Sequence, residues 1–351
     1  MYSFRGSLGR KYDRAALGVV AASVLALYAA GFAGIEFAEA ARPDAAAAVD
    51  FLPSYQEAAR NELPVLTGPA IRDLQRDAKS VPTPIIVPDS GALLEKFSLM
   101  DYWLTEVRAG EAEVPRLYIT SLPHDLAGIP SVDDRKAAFI KLMLPLVLRV
   151  NEELLEDRAR VERLVRRLRE GKRLRAADRA WLDSLSEHYG VEPDDFDGLA
   201  ERLDIVPPSL ALAQAIEESG WGTSRFAKLG NAIFGQWTFA GGKGIVPLER
   251  SDGRNHRIKA FGHLQESVAN YVTNLNRHAA YTDFRRQRAN MRVQGLELNG
   301  YVLARTLTAY SQRGDDYVAA IRAIMRFNNL TDLDDARLRG EESPLAQGLE
   351  N

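Results

Sequence analysis

Apolar residues recur at helical spacing over much of the chain. Ser131-Val132-Asp133-Asp134 has the residues of a helix start, and Phe139, Leu142, Met143 and Leu146 follow on one face. Pro145 lies inside this pattern and predicts a kink or a break. Leu154, Val161, Leu164, Val165 and Leu168 form a second amphipathic stretch, which Gly171 ends. Asp178 to Tyr189 predicts another short helix. Pro207-Pro208-Ser209 opens a helix through Leu210, Ala213, Gln214 and Glu217, and Gly220 is placed to stop it. Helical spacing returns at Val268, Tyr271, Val272 and Leu275, and again at Tyr317, Ile321, Ile324 and Met325. Between these, Gly235 to Gly262 reads as a β-rich insertion. Its turn signals are Gly241-Gly242-Lys243-Gly244 and Ser251-Asp252-Gly253. The expected fold class is mainly α, a helical domain interrupted by one small β lobe.

The front of the chain has a different pattern. Ala15 to Ile35 is a run of 21 residues without a charge, with Ser23 its one clearly polar side chain. That length spans a bilayer as a helix. Arg5, Arg10, Lys11 and Arg14 precede it and Glu36 and Glu39 follow, which places residues 1–14 in the cytoplasm and the rest beyond the inner membrane. Ala38-Glu39-Ala40 has the small-x-small form of a cleavage site, so the segment is either an uncleaved anchor or a signal sequence. Residues 36–113 read as a linker and extended region, rich in alanine at first and then in proline over Val81 to Pro88. Arg116 to Thr120 reads as a short strand. Residues 114–206 are expected to form a helical accessory region, 207–330 the catalytic domain, and the polar, acidic 331–351 a disordered tail.

Composition narrows the function classes. A net charge of −3 over 351 residues argues against nucleic acid as a partner. The absence of cysteine excludes disulfides, thiolate metal sites and cysteine nucleophiles. The five histidines form no ligand pair with a carboxylate at helical spacing, so no metal and no cofactor is expected. Residues 156–175 hold nine basic and four acidic side chains, either a surface for an anionic lipid or polymer or a solvated helix face.

Candidate chemistry lies in Ala213-Gln214-Ala215-Ile216-Glu217-Glu218-Ser219-Gly220-Trp221-Gly222. Two carboxylates fall in the last turn of a helix, at the negative end of its dipole. That field, a neighbouring carboxylate and a large ring all raise a carboxyl pKa, as a general acid requires at neutral pH. Two exposed glutamates at a frayed helix end are the alternative.

The same stretch resembles a known family. Leu212-Ala213-Gln214-Ala215, Glu218-Ser219-Gly220-Trp221-Gly222-Thr223-Ser224-Arg225-Phe226 and Gly230-Asn231-Ala232-Ile233-Phe234-Gly235-Gln236-Trp237 are similar to the bacterial cell-wall glucosaminidases, most of all to their Bax-like branch. Similarity extends through Tyr281 and Tyr310 to Tyr317 and Phe327, and more weakly back to Val114. The resemblance implies a lysozyme-like helical fold with a cleft beside the β lobe. It also implies hydrolysis of the β-1,4 bond after N-acetylglucosamine in peptidoglycan, the expected partner. The family's catalytic glutamate corresponds to Glu218. Asn231 and Phe234 correspond to positions that shape the sugar subsite, with simple packing the alternative for Phe234. Trp221 either presses on Glu218 or fills core. Tyr281 corresponds to a tyrosine near the reaction centre, while Tyr310 and Tyr317 match weaker positions at which a core role is favoured, with Tyr310 also a candidate for substrate binding. A second carboxylate, if one is used, is Glu249, with Asp252 behind it. Substrate assistance by the sugar's 2-acetamido oxygen is the other route. A lytic transglycosylase and a non-catalytic envelope glycan-binding protein are the competing functions.

Overall fold

A computed structural model of the protein describes residues 85–238, 244–245 and 257–340. The expected anchor at 15–35, the cytoplasmic 1–14, Glu249, Asp252 and the tail from 341 lie outside them. Among the described residues no helix is long and apolar enough to cross a membrane.

In chain order the elements are α1 (Ser90–Leu99), α2 (Leu104–Arg108), α3 (Val132–Arg169), α4 (Ala176–Tyr189), α5 (Phe196–Arg202), α6 (Pro208–Ser219) and α7 (Arg225–Gly230). Strands β1 (Trp237–Thr238), β2 (Gly244–Ile245) and β3 (Arg257–Lys259) follow, then α8 (Leu264–Arg277), α9 (Thr282–Val293), α10 (Gly300–Leu303) and α11 (Asp315–Phe327). The three strands form an antiparallel sheet in the order β1-β3-β2, with Trp237 opposite Ile258 and Ile245 opposite the same residue. The fold is mainly helical with one small β lobe.

Four expectations need correction. The region before 113 is not all linker. Asp89 caps α1 by accepting from the Ala92 N–H, and Leu93, Phe97, Tyr102 and Val107 enter the core. Pro145 does not break its helix, and α3 runs unbroken for 38 residues. Leu142 to Leu148 are buried on all sides around it, and that packing outweighs the roughly 3 kcal/mol that an interior proline costs. Arg116 to Thr120 forms no strand beyond a single bridge between Ile119 and Ile85. The supposed tail is folded as far as 340. Leu330 and Leu333 are fully buried, and Leu338 bridges to Val114. The acidic residues that suggested disorder are interleaved with leucines that reach the core.

The chain around the expected boundary at 206/207 is densely bonded. Asn151 of α3 donates to the Val206 carbonyl at 2.8 Å. Arg288 of α9 is fully buried and donates to the carbonyls of Glu201, Arg202, Asp204 and Ile205 and to Asn276. Two of these bonds reach carbonyls of the last turn of α5, those of Glu201 and Arg202. Burial pushes the Arg288 guanidinium down to about 10. Asp204 is buried beside it and accepts two bonds from Arg292, at 3.1 and 2.9 Å. These arginine neighbours hold Asp204 below the usual carboxylate range although its burial acts the other way. In the basic stretch 156–175, Arg158 and Arg160 are committed internally. Arg158 donates to the carbonyls of Ala200 and Leu203, and Arg160 pairs with Asp178 and lies over Trp181.

Candidate active site

Helix α6 crosses the core. Each residue from Pro208 to Ile216 is buried, and exposure begins at Glu217 and Glu218. Pro208 opens the helix at a position where no N–H is needed. At the other end, Gly220, Trp221 and Gly222 all adopt positive φ, at 56°, 59° and 74°. A left-handed tryptophan is costly, and it persists because its surroundings fix it. The Ser219 hydroxyl accepts from the Gly222 N–H at 2.8 Å and donates to the Ala215 carbonyl. A Cβ at Gly222 would lie 3.0 Å from both Leu122 and Phe139. The Glu-Ser-Gly-Trp-Gly block is therefore a tight helix stop that leaves Glu218 in the last turn, at the core's edge.

Glu218 Oε1 accepts a hydrogen bond from the Tyr317 hydroxyl of α11 at 2.9 Å. Oε2 faces Gly235, whose Cβ, if present, would be 3.8 Å away. Gly235 has φ of 60°, which suits glycine and keeps a side chain away from the carboxyl. Burial raises the Glu218 carboxyl to about 7, and the negative charge of Glu217 adds to the rise. The bond from Tyr317 and the positive charge of Arg313 act the other way. Arg313 pairs with Glu217 at 2.6 Å and so holds the neighbouring carboxylate apart from Glu218.

Behind Tyr317 lies a chain of polar contacts inside the core. Gln214 Nε2 donates to the Tyr317 hydroxyl oxygen at 2.9 Å, and the Tyr271 hydroxyl donates to Gln214 Oε1 at 2.7 Å. The Tyr310 ring stacks on Tyr317 with centroids 5.4 Å apart, and Tyr281 lies tilted against Tyr310 at 5.9 Å.

The other sequence-selected residues fall around this centre. Trp221 sits edge-on to Phe139 at 6.0 Å, with Lys136 over its ring. Phe234 is buried and stacked on Tyr271 at 3.9 Å. Asn231 ends α7 in the left-handed conformation, and its amide donates to the carbonyls of Phe261 and Gly262. Its observed bonds tie α7 to the segment that follows β3. Tyr281 and Tyr310 are buried within the aromatic row. The structure thus brings together Glu218, Tyr317, Tyr310 and Tyr281.

The sequence points to a core role for Tyr317, which is buried, and gives no sign that its hydroxyl meets Glu218 or that Arg313 pairs with Glu217. The signal for Tyr317 was a hydroxyl on the apolar stripe of an amphipathic helix, since a buried tyrosine O–H needs a partner. Helix α9 and its buried arginines also went unpredicted, because arginine at core positions hides the apolar period.

Comparison with known proteins places the chain in a family. The Glucosaminidase family, described as mannosyl-glycoprotein endo-beta-N-acetylglucosaminidase, is matched over residues 194–330. Protein bax of Escherichia coli (strain K12) is 33% identical over 204 residues, covering 56% of this chain and 71% of that protein. No solved structure matches. With α6, the β lobe and α11 all inside the matched span, the chain belongs to the glucosaminidase family as a Bax-like member.

Proposed function

We propose that the protein is a peptidoglycan hydrolase that cleaves the β-1,4 bond after N-acetylglucosamine, with Glu218 as general acid. The observation that carries this reading is a carboxyl raised to about 7 by burial, held by one hydroxyl at 2.9 Å, with its other oxygen beside a glycine turn. Such a group is protonated often enough at neutral pH to donate and becomes a competent base once it has donated.

In the proposed reaction Glu218 gives its proton to the departing glycosidic oxygen as the C1–O bond breaks, and that bond's electron pair stays on the oxygen. The 2-acetamido oxygen of the same sugar closes on C1 to give an oxazolinium. Water then adds at C1 and returns a proton to the Glu218 carboxylate, and the acetamide reforms. This route needs one strong protein acid. Glu217, beside it, is engaged by Arg313. Tyr281, which follows Tyr310 in the aromatic row leading from Tyr317, is the group proposed to orient the acetamide. Residues 15–35 would carry the enzyme to the cell-wall side of the inner membrane, as anchor or as signal.

Digestion of purified peptidoglycan, with the new ends identified by mass spectrometry, tests this reading. Reducing N-acetylglucosamine ends are expected from the wild type and not from Glu218→Gln. N-acetylmuramic acid ends, anhydro-sugar ends, or undiminished activity of Glu218→Gln would each refute it.

A further inference from the structure

The hydrogen bonds behind Glu218 have a direction, and that direction distinguishes its two oxygens. Tyr271 donates to Gln214 Oε1, so the opposite end of that amide, Nε2, is a donor and faces the Tyr317 oxygen. With that oxygen accepting from Gln214, the Tyr317 proton is directed at Glu218 Oε1. Gln214, Tyr271 and Tyr317 are all buried, and the chain links α8, α6 and α11 through the core without a surface contact. A glutamine amide is a directional connector because one end only donates and the other only accepts. Hydrogen bonds in series also polarise one another.

We infer that Gln214 and Tyr271 are positioning residues that fix the direction of the Tyr317 hydroxyl, so that Glu218 accepts at Oε1 and carries its transferable proton on Oε2, the oxygen beside Gly235. The inference rests on Glu218 being the acid. If the amide were reversed, Gln214 Oε1 would take the Tyr317 proton. Glu218 could then satisfy Tyr317 only by turning its own proton inward, away from any sugar oxygen. The Tyr271 hydroxyl, donating to Oε1, favours the observed orientation over that reversal. The Phe234 ring stacked at 3.9 Å holds the Tyr271 ring in place. A Phe234 in the core therefore still bears on the site.

The test is titration of the Glu218 carboxyl in the full-length protein by carbon-13 NMR, assigned by its loss in Glu218→Gln, alongside the pH profile of kcat. In Tyr317→Phe the carboxylate loses its donor, and its pKa should rise furthest. Tyr271→Phe keeps the stacked ring and removes only the distant hydroxyl. It should move the pKa the same way by roughly half a unit, with kcat falling more than KM rises. Gln214→Met preserves volume and provides a second route should Tyr271→Phe fold poorly, with a rise again expected. A Glu218 pKa unchanged or lowered in both folded variants would overturn the inference. The titration needs no substrate, so it can fail while Glu218 remains the acid. Conversely, wild-type wall cleavage by Glu218→Gln would remove the proposed function and leave the titration result standing.

Discussion

The two ends of α6 each hold a half-buried carboxyl, and they hold it in opposite ways. At the N-terminus Asp334 Oδ1 accepts from the Ser209 N–H at 2.8 Å, while Oδ2 accepts from the Ser209 hydroxyl at 2.8 Å and the Gly300 N–H at 3.0 Å. At the C-terminus Glu218 has one donor among the described residues, Tyr317. Burial raises both, Asp334 to about 6 and Glu218 to about 7. Asp334 sits where the helix dipole favours negative charge and three donors engage it, so both of its oxygens are occupied. Glu218 sits where the dipole disfavours negative charge, and its Oε2 takes no hydrogen bond from the described residues. A raised pKa alone therefore does not mark the acid. What separates the two is an oxygen left open at the edge of the core.

The comparison is broken most directly by changing the two carboxyls in turn. Glu218→Gln should lower kcat on peptidoglycan by about 10²–10⁴-fold, the usual contribution of a positioned acid, with the fold retained. Asp334→Ala should instead destabilise the fold by about 2–4 kcal/mol, since it leaves buried N–H donors without partners. Denaturant unfolding measures this, and kcat per folded molecule should change little. If Asp334→Ala abolished turnover in a well-folded protein, or Glu218→Gln unfolded it, the assignment of roles would be reversed.

The two ends were unequally legible in the sequence. The C-terminal end has a compact local signature, because glycines at 220 and 222 are required by backbone conformation and Glu218 lies directly before them. Local chemistry leaves a local trace. The N-terminal end is tied to Asp334, 125 residues further on, in a segment whose composition resembled a disordered tail. Nothing near Ser209 announces that partner. Tyr317 is an intermediate case. Its helix was plain from the apolar period, but that period shows burial without showing which buried hydroxyl meets a carboxyl. The helical class and the β lobe followed from periodicity and turn residues, whereas α9 was obscured by Arg285 and Arg288, whose burial depends on carbonyls distant in sequence.

Gly300→Ala sharpens the N-terminal side without touching a charge. An added Cβ would collide with the Ser209 hydroxyl and lie 2.9 Å from the Leu210 backbone nitrogen. Forcing α10 away from α6 should cost about 1–3 kcal/mol, typical of overpacking. Thermal unfolding would register it as a lowered Tm, and an unchanged Tm would show that the junction yields more readily than these contacts imply.

The smallest expected effect is an increase in stability. Glu218 has a folded pKa of about 7, against the ordinary 4.5 of an unfolded chain. Below that lower value both states are protonated, and the site carries no penalty from charge. As pH rises toward 7 the unfolded chain releases its proton while the folded one retains it, so wild-type stability declines. Above 7 the folded protein holds a buried carboxylate and the full cost is present. Glutamine has no such charge. Glu218→Gln should therefore match the wild type near pH 4.5 and exceed it by about 1–2 kcal/mol at pH 8, the full linkage value being reduced by the partial exposure of the residue. Paired unfolding curves at the two pH values would show this, and Asp334→Asn should bring no comparable gain although its pKa is raised too, because the amide would turn an NH2 group toward N–H and O–H donors that the carboxylate oxygens now accept from. An inactive variant that is more stable only at alkaline pH would mean that the enzyme tolerates a destabilising charge at the one position where its proton is used.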